Sequence, residues 1–168
     1  LGKGGTYIQT TPRAEASQKR KNNNIIFIHI GVTENHGMHN NTGLDTYMCT
    51  QLIEGVRRYT AKRGHECNLT LPPLNFGNHP HHHLGMPGTV IVPPEVVTEA
   101  LIYVMAGLWD DGYRKMVLIN NHGHLWTLVN AIQEFMKRFQ LPAVVRVIDW
   151  HRAIREFFFV TDKKNSLE

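Results

Sequence analysis

Glu34 and His36 stand two residues apart just past one apolar run, and His122 and His124 repeat that spacing just past another. Asp45 lies between the two pairs. Where the backbone stays extended, positions i and i+2 project to the same side, so each pair can present two donors to one point. Carboxylate and imidazole donors in this mixture suit zinc or manganese, and a carboxylate can bridge two ions. A divalent cation relieves the repulsion among clustered carboxylates and lowers the pKa of bound water toward neutrality. The chemistry such a cluster would serve is metal-assisted hydrolysis. Each residue alone has a plainer use. Asp45 could cap a helix, Glu34 and His36 could be bonded into turns, and Gly123 could give a strand-to-helix turn its strained backbone angle. Their recurrence at corresponding strand ends is what favours a metal site.

Those residues need elements to bring them together. IIFIHIG (25–31), MVLIN (116–120) and AVVRVID (143–149) read as buried strands, with TVIV (89–92) as a further short one. Between them run helical patterns. The first begins at Asp45 with a stripe of Met48, Leu52, Val56 and Tyr59, and closes on basic residues before Gly64. A second starts at Pro93-Pro94-Glu95 and carries Val97, Leu101, Val104 and Leu108. The third has the broadest apolar face: Leu125, Leu128, Val129, Ile132, Phe135, Met136 and Phe139. Strands without in–out alternation, separated by amphipathic helices, indicate an α/β fold with a mostly parallel sheet covered on both faces. In such sheets ligands bind beyond the carboxyl ends of the strands, which is where the paired donors fall. Residues 1–24 show little apolar periodicity and read as an N-terminal arm; residues 25–168 form the domain.

Composition narrows the function further. The chain has 168 residues, enough for one domain with a real core, and a net charge of +4 from 18 basic and 14 acidic residues. That excess is small and spread over the ends, and no nucleic-acid-binding signature accompanies it. Two cysteines, Cys49 and Cys67, make no disulfide framework, and no signal peptide or membrane span is evident. A cytoplasmic protein without nucleic-acid or membrane partners is expected. The unusual feature is eleven histidines, four of them in the HPHHHLG loop at His79, His81, His82 and His83. There His83 is expected near the pocket and the others mostly in solvent.

Three segments, in order, resemble those of the creatininase (creatinine amidohydrolase) family: GVTENHGMHNNTGLDT (31–46), FGNHPHHHLGMPGT (76–89) and VLINNHGH (117–124). The resemblance implies a three-layer α/β/α sandwich, a tendency to form homo-oligomers, and two divalent ions, zinc or manganese. By motif, Glu34 and His122 would hold one ion with Asp45, while His36 would hold the second with Asp45 bridging. The family's next ligand to the second ion is a glutamate; this chain has His124 in that place, which makes the site less negative. His83 falls near the substrate mouth, and Trp150 where an aromatic lines the pocket. The asparagine that closes one form of the third motif is Leu125 here. The family's acid/base histidine comes from a downstream HAGxxETS-like segment with no counterpart before Glu168, so the domain is expected to lack its C-terminal part. The activity implied is hydrolysis by a hydroxide held between two ions, opening a small polar cyclic substrate at an amide C–N bond. One branch instead cleaves a C–C bond of a cyclic ketone in inositol breakdown. A non-catalytic metal-binding assembly subunit and a nucleic-acid-binding module are the readings from other classes.

Overall fold

The three long apolar runs become three parallel strands, β1 (Ile25–Ile30), β2 (Lys115–Asn120) and β3 (Val144–Asp149), hydrogen-bonded in the order β1-β2-β3. The computed structural model describes residues 6–66 and 73–149, and the backbone alone at His82. Trp150 and Cys67 lie outside the described residues. Register pairs Ile30 with Asn120 and Asn120 with Asp149, so the strands end level. The segments that follow β1 and β2 therefore emerge side by side.

Four helices accompany the sheet among the described residues: α1 (Arg13–Asn22), α2 (Leu44–Ala61), α3 (Pro94–Asp110) and α4 (Leu125–Phe139). Ile26, Ile28, Ile30, Met116 and Leu118 point to one face and pack with Leu101, Ile102 and Met105 of α3 and Leu128, Ala131 and Phe135 of α4. The opposite face is covered by α2, whose Cys49 and Ile53 meet Ile119, Phe27 and Val117. This is the expected three-layer α/β/α arrangement.

Four local expectations are corrected. AVVRVID is a strand but not a buried one: its burial alternates along β3, and Val144 and Ile148 are exposed, because β3 is the last strand of the described sheet. The buried face of α2 is Asp45, Cys49, Ile53 and Glu54, while Met48 and Tyr59 are exposed. The helix is rotated from its most apolar stripe because its two acidic residues have partners inside: Asp45 at the site described below, and Glu54 with Tyr7 and Arg57. In α4, Met136 and Phe139 likewise sit at the surface, and Thr127, Leu128, Ala131 and Phe135 form the buried face. TVIV is not a strand; it makes one isolated bridge, Gly77 to Ile91. Pro87 before it and Pro93-Pro94 after it cannot donate to a ladder, which limits pairing to a single residue.

The N-terminal segment packs onto the domain. Tyr7 is buried and its hydroxyl donates to Glu54 Oε1 at 3.0 Å, while Arg57 Nε donates to Glu54 Oε2 at 2.9 Å. Arg20 pairs with Asp111 at 2.7 Å. No helix among the described residues is long and apolar enough to cross a membrane.

Candidate metal centre

Close packing at the end of β1 brings the first two carboxylates together. A Cβ on Gly31 would lie 2.5 Å from Thr46 Cα, so only glycine lets the first turn of α2 press so tightly against the strand. After Val32 the chain makes an excursion that closes where the Glu34 N–H donates to the Thr42 carbonyl at 2.9 Å. Asp45 follows in the first turn of α2. Gly43 precedes the helix and no side chain caps it; Asp45 turns its carboxylate inward.

From β2 comes His122. The Asn120 amide holds it on both sides, its Nδ2 donating to the His122 carbonyl at 2.6 Å and its Oδ1 accepting the His122 N–H at 3.3 Å. Asn121 Nδ2 donates to the Asp45 carbonyl at 3.0 Å and ties the segment after β2 to the first turn of α2. Gly123 has no positive φ, so the turn needs no strained glycine.

The candidate ligand atoms converge. His122 Nδ1 lies 3.1 Å from Glu34 Oε1 and 3.1 Å from Asp45 Oδ2. His36 Nε2 lies 3.3 Å from Asp45 Oδ1 and 3.5 Å from Glu34 Oε1. Asp45 thus turns one oxygen to each histidine. Ligand atoms around a tetrahedral zinc at about 2.1 Å stand about 3.4 Å apart, close to the spacings here.

The protonation pattern fits a cation as well. His122 Nε2 is 3.2 Å from the Asn78 carbonyl oxygen, which can only accept, so Nε2 carries a hydrogen. Nδ1 then faces two carboxylates. Without a cation it must carry a proton too: burial opposes this charge, but hydrogen bonds to Asp45 and Glu34 prevail and raise the His122 pKa to about 9. Burial likewise pushes the Glu34 pKa up, and the His122 hydrogen bond and charge overcome it, holding it at about 2. The proton on Nδ1 sits where a divalent ion would, with the Asn78 carbonyl fixing the tautomer as an outer partner of a metal-bound imidazole does.

His124 is placed differently from the other expected ligands. Its ring meets that of His122 edge-on, with centroids 4.6 Å apart, and neither ring nitrogen has a hydrogen-bond partner. Burial first, then the charges of His122 and His79, lower its pKa to about 3, which leaves a neutral buried imidazole. Among the described residues it joins no metal-competent group.

The histidine loop departs from expectation at one residue. His81 is exposed, but the His79 side chain is fully enclosed, 0 % exposed, with Nδ1 3.1 Å from Glu34 Oε2. His83 Nδ1 lies 3.5 Å from the same oxygen. Gly77 makes this path possible, since a Cβ there would lie 2.4 Å from Val32 Cγ1 and 2.6 Å from His124 Nδ1. Asn78 and Asn120 were not singled out by sequence reasoning, and His79 was expected in solvent with the rest of the loop. A polar residue closing a wholly apolar strand was the available signal for Asn120; nothing in the spacing of the loop distinguished His79 from its neighbours.

Comparison with known proteins bears on what this centre serves. The family model of creatininase, creatinine amidohydrolase, matches residues 9–166. A 3-dehydro-scyllo-inosose hydrolase from Thermotoga maritima is 39% identical over 154 residues, covering 92% of this chain and 48% of the relative. The chain therefore spans about half the length of that relative. Among solved structures, a proposed creatinine amidohydrolase from Bacteroides fragilis superposes with a TM-score of 0.84 at 14% identity, over 96% of this chain and 62% of its own. A manganese form of creatininase gives 0.75 at 18% identity, over 95% of this chain and 62% of its own. At these identities the two structures speak for the fold alone.

Proposed function

The chain belongs to the creatininase family, and from that premise we propose that it is a metal-dependent hydrolase that opens a small, polar, cyclic carbonyl compound. The observation that carries this reading is the approach of Glu34 Oε1 and of Asp45 Oδ2 to His122 Nδ1, each at 3.1 Å, from segments far apart in the chain. Divalent cations bound there, zinc or manganese, would acidify coordinated water and polarise a substrate carbonyl.

The protein's own residues set the conditions. Glu34 and Asp45 supply the negative charge, and Asn78 and Asn120 fix the imidazole of His122. His36 extends the donor set on the outer side of Asp45. Two carboxylates stand among five imidazoles: His36, His79, His83, His122 and His124. Once divalent ions are bound, this composition leaves the site net positive and favours a reaction that develops negative charge on the substrate.

Within that reading a polyhydroxylated cyclic ketone, opened at a C–C bond, is the better substrate class. Water adds to the carbonyl carbon, the ring C–C bond breaks with its electron pair left on the departing carbon, and that carbon takes up the proton released from the water. Charge grows on the substrate along this route, in keeping with a net positive site. The named activity of the 39% identical relative points the same way. Opening of a cyclic amide at its C–N bond is the second reading, favoured by the family model's description. The test is incubation of the zinc- or manganese-loaded chain with 3-dehydro-scyllo-inosose and with creatinine, followed by mass spectrometry for gain of one water. Turnover of the ketone alone is expected. Turnover of creatinine alone would reverse the choice, and tight metal binding with no turnover of either would favour a non-catalytic metal-binding subunit.

A further inference from the structure

Glu34 has two oxygens, and the centre described so far uses one. Oε2 faces away from His122, toward the histidine loop. His79 Nδ1 lies 3.1 Å from it, His83 Nδ1 lies 3.5 Å from it, and the two ring nitrogens are 3.4 Å apart. Three potential ligand atoms thus form a nearly equilateral triangle. Around a tetrahedral zinc with bonds of about 2.1 Å, neighbouring ligand atoms stand about 3.4 Å apart, so one ion could touch all three without moving the backbone.

We propose that a second divalent cation is held on this side of Glu34, by Glu34 Oε2, His79 Nδ1 and His83 Nδ1, with the Glu34 carboxylate bridging the two ions. The proposal rests on the reading of the chain as a metal-dependent hydrolase and names where its second ion goes. It differs from the set implied by resemblance, in which His36, Asp45 and His124 would share that ion.

The loop is built to make this triangle. Pro80 precedes a single 3-10 turn, His81–His83, and the His83 N–H donates to the Pro80 carbonyl at 3.0 Å. That turn swings the ring of His83 back toward His79, with centroids 5.4 Å apart and planes tilted by 35°. At its flanks the loop is pinned to the domain by the bridge between Gly77 and Ile91 and by Asn35, whose N–H and side-chain Nδ2 donate to Thr89 Oγ1 and the Pro87 carbonyl at 3.0 and 2.8 Å.

Hydrogen bonding alone explains the triangle poorly. Two imidazole Nδ1 atoms aimed at one oxygen and 3.4 Å from each other cannot both carry hydrogens without those hydrogens crowding; a cation satisfies all three atoms as acceptors. The pattern of exposure suits a reactive site: His79 is enclosed, whereas the side chains of His83 and Glu34 are 19% and 11% exposed. One side of the ion would stay open to water or substrate. His124, by contrast, packs against His122 and meets neither Asp45 nor His36 as a ligand partner.

The test is a count of metal, independent of turnover. The metal-free chain is reloaded with zinc, passed through a desalting column and analysed for bound zinc. The same samples loaded with cobalt give the visible absorption of each site. The wild type is expected to hold two ions per chain. His79→Ala, His83→Ala and the bulk-preserving His79→Gln should each hold one, with affinity for the second falling by about 100-fold or more. His124→Ala should keep both. Circular dichroism confirms that each variant is folded before counting. Loss of an ion in His124→Ala or His36→Ala, with two retained in the His79 and His83 variants, would overturn the assignment and leave the hydrolase reading standing. A wild type that holds a single ion, lost in His122→Ala and kept in His79→Ala, would overturn it in the same way. A wild type that holds no zinc would remove both readings.

Discussion

Replacing Asp45 by asparagine isolates the contribution of the first ion. Asp45 Oδ2 stands 3.1 Å from His122 Nδ1 and Oδ1 stands 3.3 Å from His36 Nε2, so the change removes one anionic charge from between two imidazoles while keeping the shape. In the wild type, zinc held at 100 times its dissociation constant stabilises the folded chain by about 2.7 kcal/mol if the unfolded chain does not bind it. At about 2 to 4 °C per kcal/mol for a chain of this size, the melting temperature should rise by about 5 to 10 °C. If loss of the carboxylate weakens binding by about 100-fold, the same zinc concentration matches the new dissociation constant, the stabilisation falls to about 0.4 kcal/mol, and the rise shrinks to about 1 °C. Differential scanning calorimetry with and without zinc reads both numbers, with wild-type Asp45 and Asp45→Asn compared in a His79→Ala background so that the first ion alone is counted. Glu15→Gln, on α1 away from the site, serves as the control and should keep the full rise. A rise in Asp45→Asn equal to that of the wild type would show that the carboxylate is not a ligand, and the argument from convergent spacing would fail.

Two further changes probe the scaffold. His29 is wholly buried on β1 with neither ring nitrogen hydrogen-bonded, and burial lowers its pKa from 6.5 to about 4 against a weaker opposing pull from Glu54. The unfolded chain takes up this proton near pH 6.5 and the folded chain only near 4, so stability is lost as pH falls between those values. By pH 5 the loss from this residue amounts to about 2 kcal/mol. Urea midpoints at pH 7 and pH 5 should therefore fall less in His29→Leu than in the wild type, and equal falls would contradict the burial argument. Gly77→Ala puts a methyl group against Val32 and His124, and should cost about 1 to 3 kcal/mol in urea unfolding and lower the zinc affinity by displacing the histidine loop; a variant with wild-type stability would show that the loop gives way easily.

How far the sequence revealed this depends on how local the controlling physics is. The strands were legible because a run such as IIFIHIG has no solvent-facing alternation, and parallel pairing between helical layers is the arrangement that buries both sides. The convergence of Glu34, Asp45 and His122 was legible because strand ends in such a sheet come together in space. The faces of α2 and α4 were misjudged because hydrophobicity alone ranked the stripes. Glu54 turned inward for Tyr7, a residue 47 positions away in the sequence, and no periodicity could show that partner. Tyr7 itself lies in a segment whose low apolar periodicity read as an arm, yet its buried phenol on Glu54 and the ion pair of Arg20 with Asp111 fasten that segment to the domain.

The histidine loop shows the same limit at the site. Four histidines in HPHHHLG look alike in composition, and alternation in an extended chain would separate them by parity. The 3-10 turn after Pro80 breaks that parity, and the glycine at 77 lets the loop lie directly over His124. Both effects act on Glu34, which lies 45 residues before His79 and 88 before His122. Because its two oxygens face different histidines, the electrostatics of the two positions are coupled through one carboxylate. A cation at either position draws negative charge from the group that must also serve the other. The same bridge that holds two ions close also weakens each one's claim on Glu34, so Asp45, with His36 and His122 on opposite oxygens, is the residue left to compensate at the first ion.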